Sequence, residues 1–229
     1  MIDVKKEMNS IFLLLLASIL SLSCTTEQES QTRNQVKKIL ILGNSIVEHP
    51  ASPTIGWNHD WGMAASAKDS DFVHRLEVLI HTVNPSIQVD WKSISAFERN
   101  YDNYDLSELS GYRDFDMIIL KISENVKHAQ GMEESFLNHY NLLVNYLNPN
   151  GSSVVIISEG FWPTPVNEII KRYAQKKDFP FIRLSDLFSD DESNSAKGMF
   201  EHEGVSNHPS DKGMRNIATR IWEVVKAYL

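Results

Sequence analysis

Ile39, Leu40, Ile41 and Leu42 run directly into Gly43-Asn44-Ser45, and this junction most constrains the fold. A short apolar β-forming run bounded by turn residues is the pattern of a buried strand. Gly43 and Asn44 tolerate the backbone angles of a tight turn. Ser45 therefore sits where a strand ends, and in parallel α/β sheets ligands bind at the carboxyl ends of strands. A serine there is either a nucleophile or an ordinary turn or capping residue.

The same punctuation recurs along the chain. Strands are predicted at 36–42, 87–94, 117–122, 153–157 and 181–184. Between them lie helical patterns. Phe72, Leu76, Leu79, Ile80 and Val83 share one face of a helix over 71–83, which Asn84-Pro85 stops. Phe136, Leu137, Tyr140, Leu143, Val144 and Leu147 form a stripe over 133–147, ended by Asn148-Pro149-Asn150-Gly151. A further helix follows Pro165, and Met214, Ile217, Ala218, Ile221, Trp222 and Val225 mark the last. Residues 47–68 and 185–209 read as long loops, and 95–113 as an irregular segment. Apolar strands alternating with amphipathic helices predict a five-stranded parallel sheet covered on both faces, a three-layer α/β/α domain over 36–229. The chain of 229 residues is long enough for one such core.

The first residues carry a different signal. Lys5 and Lys6 precede an apolar stretch from Ile11 to Leu22, too short for a comfortable membrane span and suited to a signal-peptide core over 1–23. Cys24, the only cysteine, follows at once and has no partner for an internal disulfide. The segment resembles a bacterial lipoprotein signal, which implies lipidation at Cys24, export, and attachment to a membrane of the cell envelope. A plain secretory signal is the alternative. Residues 24–35 are polar and read as a flexible tether. The net charge of −8 argues against nucleic acid as a partner, and no phosphate-cradling glycine motif appears.

The strand ends collect reactive groups. Ser45 follows the first strand, Ser95-Ala96 the second, and Ser123-Glu124-Asn125 the third, while His208 precedes the final helix with Ser210 as a candidate N-cap. A serine, a histidine and an amide donor at one rim are the parts of an acyl-transfer site. These residues resemble the SGNH/GDSL-type hydrolases, an esterase family with a flavodoxin-like, doubly wound fold. The family's Gly-Asp-Ser block corresponds to Gly43-Asn44-Ser45, its Gly-x-Asn block to Ser123-Glu124-Asn125, and its histidine block to His208-Pro209. The stretches 55–65 and 96–99 are similar to an exported bacterial branch of that family. The resemblance implies Ser45 as nucleophile and His208 as general base. It implies an oxyanion hole from the N–H groups of Ser45 and Ala96 and the side chain of Asn125.

One departure matters. Three residues before His208 the family has Asp, and here stands Val205. Glu203, Glu201 or a backbone carbonyl are the groups left to orient the imidazole, with Glu203 named as the third catalytic residue. Asn44, Trp57, Trp61, Glu124 and Trp162 are candidate substrate contacts, because loops at this rim wall the pocket. Glu98 and Arg99 read as a structural ion pair behind the oxyanion loop. The eight histidines show no zinc spacing, so no metal or cofactor is expected. The expected function is hydrolysis of an acetyl or acyl ester of a carbohydrate, with a lysophospholipid as the rival ester. The alternative is a non-catalytic glycan-binding lipoprotein, motivated by Val205 and the tryptophans.

Overall fold

The computed structural model describes residues 36–229. The signal segment, Cys24 and the tether lie outside the described residues. The sheet is five-stranded, parallel throughout, and ordered β2-β1-β3-β4-β5. The strands are β1 (Lys38–Gly43), β2 (Gln88–Ser93), β3 (Met117–Lys121), β4 (Val154–Ser158) and β5 (Phe181–Ile182). That order is the doubly wound flavodoxin-like one, in which the winding reverses between β1 and β3.

Alternation along β1 sets the two cores. Ile39 and Ile41 face one layer, built from α1 (Phe72–Val83) and the C-terminal helix (Asp211–Val225), where Phe72, Leu76, Met214, Ile217 and Ile221 are buried. Leu40 and Leu42 face the other. There α2 (Ser95–Arg99), α3 (Met132–Leu147) and α4 (Pro165–Lys177) supply Phe97, Phe136, Tyr140, Leu143, Ile169 and Ile170. The remaining helices are α5 (Ser185–Asp190), α6 (Glu203–Ser206) and α7, the C-terminal helix already placed.

The predicted elements return with local differences. Strand β5 stops at Ile182 because the Leu184 N–H donates to the buried Glu159 carboxylate at 2.9 Å and leaves the ladder. Asp71 caps α1, accepting from His74 N–H, so the helix proper starts one residue later than its pattern suggested. Segment 95–113 is not wholly irregular: it begins with α2, and α6 sits inside the loop 185–209.

Gly43 is needed for closeness. A Cβ there would stand 2.6 Å from Val47 Cγ2 and 3.0 Å from the Lys121 carbonyl oxygen. Both neighbours belong to the turn and strand that place Ser45. Gly43→Ala should therefore destabilise the domain by about 1–3 kcal/mol in urea unfolding, as overpacking does; an unchanged midpoint would contradict the packing described.

Candidate active site

Ser45 leaves β1 in a turn closed by the Val47 and Glu48 N–H groups, both donating to the Asn44 carbonyl. Its own carbonyl accepts from Met63 N–H at 2.8 Å. Ser45 Oγ lies 2.7 Å from His208 Nε2, although 163 residues separate them. The histidine is held from both sides: its N–H donates to the Val205 carbonyl, and its carbonyl accepts from Ala196 N–H. Ser210 caps α7 through Gly213 N–H, as its position before the helix predicted.

The other ring nitrogen decides the tautomer. His208 Nδ1 is 2.6 Å from the Gly204 carbonyl oxygen. A carbonyl only accepts, so Nδ1 carries the proton and Nε2 is left to accept from the serine hydroxyl. Gly204 is free for this contact because α6 ends at once, and His208 N–H bonds Val205 rather than Gly204. The expectation that Glu203 orients the ring is thus corrected, since Glu203 is exposed and a backbone carbonyl takes that place. Val205 is itself fully buried, packed in a small cluster with Trp57, Met63, Ala64 and Ala196. Burial holds the His208 imidazole down at about 4, although the Gly204 carbonyl and Glu124 pull the other way. The ring is therefore neutral at neutral pH, the form a general base needs.

The strand ends on either side of the switch point are tied by buried charge. Lys121, at the end of β3, is fully buried and paired with Glu124. Glu124 also accepts from Phe161 N–H at 2.8 Å and from Asn44 Nδ2 at 2.8 Å. Burial alone would raise Glu124, but the Lys121 ammonium and the Phe161 N–H hold it below the usual carboxylate range. Asn44 Nδ2 reaches on to Glu98 Oε1 at 3.1 Å, and Asn44 Oδ1 accepts from Ile46 N–H. Glu98, on α2, accepts further from Ser123 N–H at 2.7 Å and from Asn125 Nδ2 at 2.5 Å. Burial first, and Glu124 second, push the Glu98 carboxyl up to about 7 against these donors.

These contacts revise several sequence expectations. Asn44 is fully buried with its amide spent on two carboxylates and a backbone N–H, so it positions the nucleophile turn and does not face a substrate. The Glu124 side chain is likewise buried. Trp57, 1% exposed, is a core residue whose N–H donates to the His49 carbonyl. Trp61 is half-buried, stacked on His59 with centroids 4.1 Å apart. Trp162 alone of the three stands against the dyad, edge-on to the His208 ring at 5.1 Å, with its N–H on the Asn207 carbonyl. Glu98 and Arg99 make no ion pair; both turn to Asn125. Ala96 occupies the first turn of α2, where backbone N–H groups have no intrahelical acceptor. Sequence reasoning missed Lys121 and Gly204. A lysine inside the apolar run 117–122 was the available signal, because a charge in a strand covered on both faces needs a partner close by.

No protein-family model matches the chain, and no curated protein matches it. Solved structures do. An acetyl xylan esterase, AlAXEase, superposes with a TM-score of 0.52 at 15% identity over 82% of this chain and 99% of its own. The psychrotrophic esterase EstA from Pseudoalteromonas sp., solved with monoethylphosphonate as inhibitor, gives 0.51 at 13% identity over 84% and 98%. A family two carbohydrate esterase from Cellvibrio japonicus gives 0.51 at 11% identity, covering 84% of this chain and 61% of that one. The likeness is one of fold: this chain shares the three-layer α/β/α architecture of these esterases.

Removing one member of a buried ion pair strands the other. Lys121→Met should cost about 3–5 kcal/mol in chemical unfolding, and adding Glu124→Gln should recover part of that. A Lys121→Met protein as stable as the parent would refute the buried pairing.

Proposed function

We propose that the chain is a serine esterase that uses Ser45 as nucleophile and His208 as base. The observation that carries this reading is the Ser45 Oγ–His208 Nε2 contact of 2.7 Å, with the opposite nitrogen fixed on the Gly204 carbonyl. His208 Nε2 takes the hydroxyl proton as Oγ forms its bond to the ester carbon, and the carbonyl π pair moves onto oxygen. The N–H groups of Ser45 and Ala96 and the second amide hydrogen of Asn125 are the donors assigned to that oxyanion. Collapse breaks the bond to the alcohol oxygen, which takes the proton from Nε2. Water then attacks the acyl-serine, giving its proton to Nε2; cleavage returns the proton to Ser45 Oγ and releases the acid.

The substrate we assign is an acetyl or short acyl ester of a carbohydrate. Its support is the shared fold with an acetyl xylan esterase and a carbohydrate esterase, together with Trp162 beside the dyad. Export and lipid anchoring at Cys24 belong to the same proposal and rest on Lys5, Lys6, the apolar stretch and the cysteine after it.

With an aryl acetate and an acetylated xylo-oligosaccharide as substrates, Ser45→Ala should lower kcat on the order of 10³–10⁶-fold with the circular dichroism unchanged. Glu203→Gln should leave turnover within about twofold, since an exposed carboxylate with no hydrogen bond to the ring has no transition-state contact to lose. Full turnover by Ser45→Ala would overturn the assignment.

A further inference from the structure

We propose that Glu98 and Arg99 are positioning residues that lock the side-chain amide of Asn125 in one orientation. The inference rests on the esterase reading of Asn125 as an oxyanion donor. Glu98 Oε2 accepts from Asn125 Nδ2 at 2.5 Å, and Arg99 Nη2 donates to Asn125 Oδ1 at 3.2 Å. An ionised carboxylate only accepts and a guanidinium only donates. Rotating the amide by half a turn would set two acceptors together at Glu98 and two donors together at Arg99. The clamp therefore permits one orientation. It also leaves the second Nδ2 hydrogen unspent and polarises it by a charge-assisted bond through the first.

Glu98 is itself held by contacts on both oxygens. It is fully buried, and its other oxygen accepts from Ser123 N–H and Asn44 Nδ2. Arg99 is steadied by Ser95 Oγ at 3.1 Å on the same helix. A short helix at the end of β2 thus reaches the loop after β3 and sets which edge of the amide is available. In an oxyanion hole this matters in the transition state, when an amide turned the wrong way would present a lone pair to developing negative charge.

The clamp needs Glu98 ionised. Each of its three partners is a donor, so a protonated carboxyl would have no acceptor for its hydrogen unless Asn125 turned over. The charged and titratable groups around it are Lys121 on β3, Glu124 after β3, Arg99 on α2 and Tyr140 on α3. Burial and Glu124 place the Glu98 titration at about 7, whereas burial places that of His208 at about 4. As pH falls below 7, Glu98 takes up a proton and releases Asn125 while His208 is still a neutral base. The acid limb of the rate profile should then fall near 7 and not near 4.

The test uses wild type, Glu98→Gln, Asn125→Ala and the double variant with an aryl acetate. Glu98→Gln should lower kcat about 10²–10³-fold with KM nearly unchanged, the signature of a lost transition-state contact. It should also abolish the acid limb near 7. The double variant should be no slower than Asn125→Ala, because Glu98 acts through that amide. Additive losses, or a Glu98→Gln enzyme with the parent's kcat and pH profile, would overturn the clamp. Should Glu98→Gln fail to fold, the exposed Arg99→Met carries the test, with a loss of about tenfold in kcat, the worth of one charge-assisted hydrogen bond. An unchanged kcat in Arg99→Met would overturn the guanidinium's part. A readout independent of turnover separates this inference from the esterase reading. The ¹⁵N-labelled wild type should show one Asn125 side-chain amide proton shifted downfield by the Glu98 carboxylate and protected from exchange with solvent, and both the shift and the protection should diminish in Arg99→Met. An inactive wild type with that signature sinks the esterase reading and keeps the clamp; an active one without it does the reverse.

Discussion

The ammonium of Lys121 is fully buried, and the rim of the sheet is arranged around answering it. Such a charge persists only with an opposite charge and further hydrogen bonds close by. Glu124 supplies the charge three residues on, and its remaining capacity ties in the loop after β4 through Phe161 N–H and the turn after β1 through Asn44. Asn44 then meets Glu98 from the end of β2, and Glu98 fastens Ser123 and Asn125 after β3. Four strand ends are thereby joined by one buried polar network. A network satisfied at every member fixes geometry more narrowly than apolar packing does, and the residue next to Asn44 is Ser45.

The second fixed point is the short loop around His208. A carbonyl oxygen where a carboxylate is expected makes a weaker electrostatic partner for an imidazolium. It still sets the tautomer and the ring direction. Val205 fills its place as a hydrophobic residue, buried with Trp57, Met63 and Ala196, so the loop is held by packing and backbone hydrogen bonds rather than by charge. A buried imidazole with a low affinity for protons stays neutral well below pH 7. The ionisation state of Glu98, not that of the histidine, then becomes the more sensitive feature of the rim.

Much of this was legible in the sequence. The apolar runs and the amphipathic stripes placed the strands and helices, because period and turn residues follow directly from backbone geometry. The junctions at Ser45, Ser123–Asn125 and His208 were visible because a parallel sheet forces its loops to one rim. What escaped was set by tertiary contact. That Gly204 lends its carbonyl to His208 depends on α6 ending after one turn. That Glu98 turns inward to two asparagines, and not to its neighbour Arg99, depends on where α2 lies against β3. Trp57 carries the same residue type as Trp162 but lies in the core, a distinction that spacing alone does not contain.

An oxyanion site of the kind proposed, drawn from three strand ends around Ser45, would bind a tetrahedral adduct in one fixed direction. The most direct test is a crystal structure of the protein after reaction with an alkyl fluorophosphonate. Phosphorus should be bonded to Ser45 Oγ, with the phosphonyl oxygen about 2.7–3.1 Å from the N–H groups of Ser45 and Ala96 and from Asn125 Nδ2. An unmodified Ser45, or an adduct whose phosphonyl oxygen points away from these donors, would contradict it.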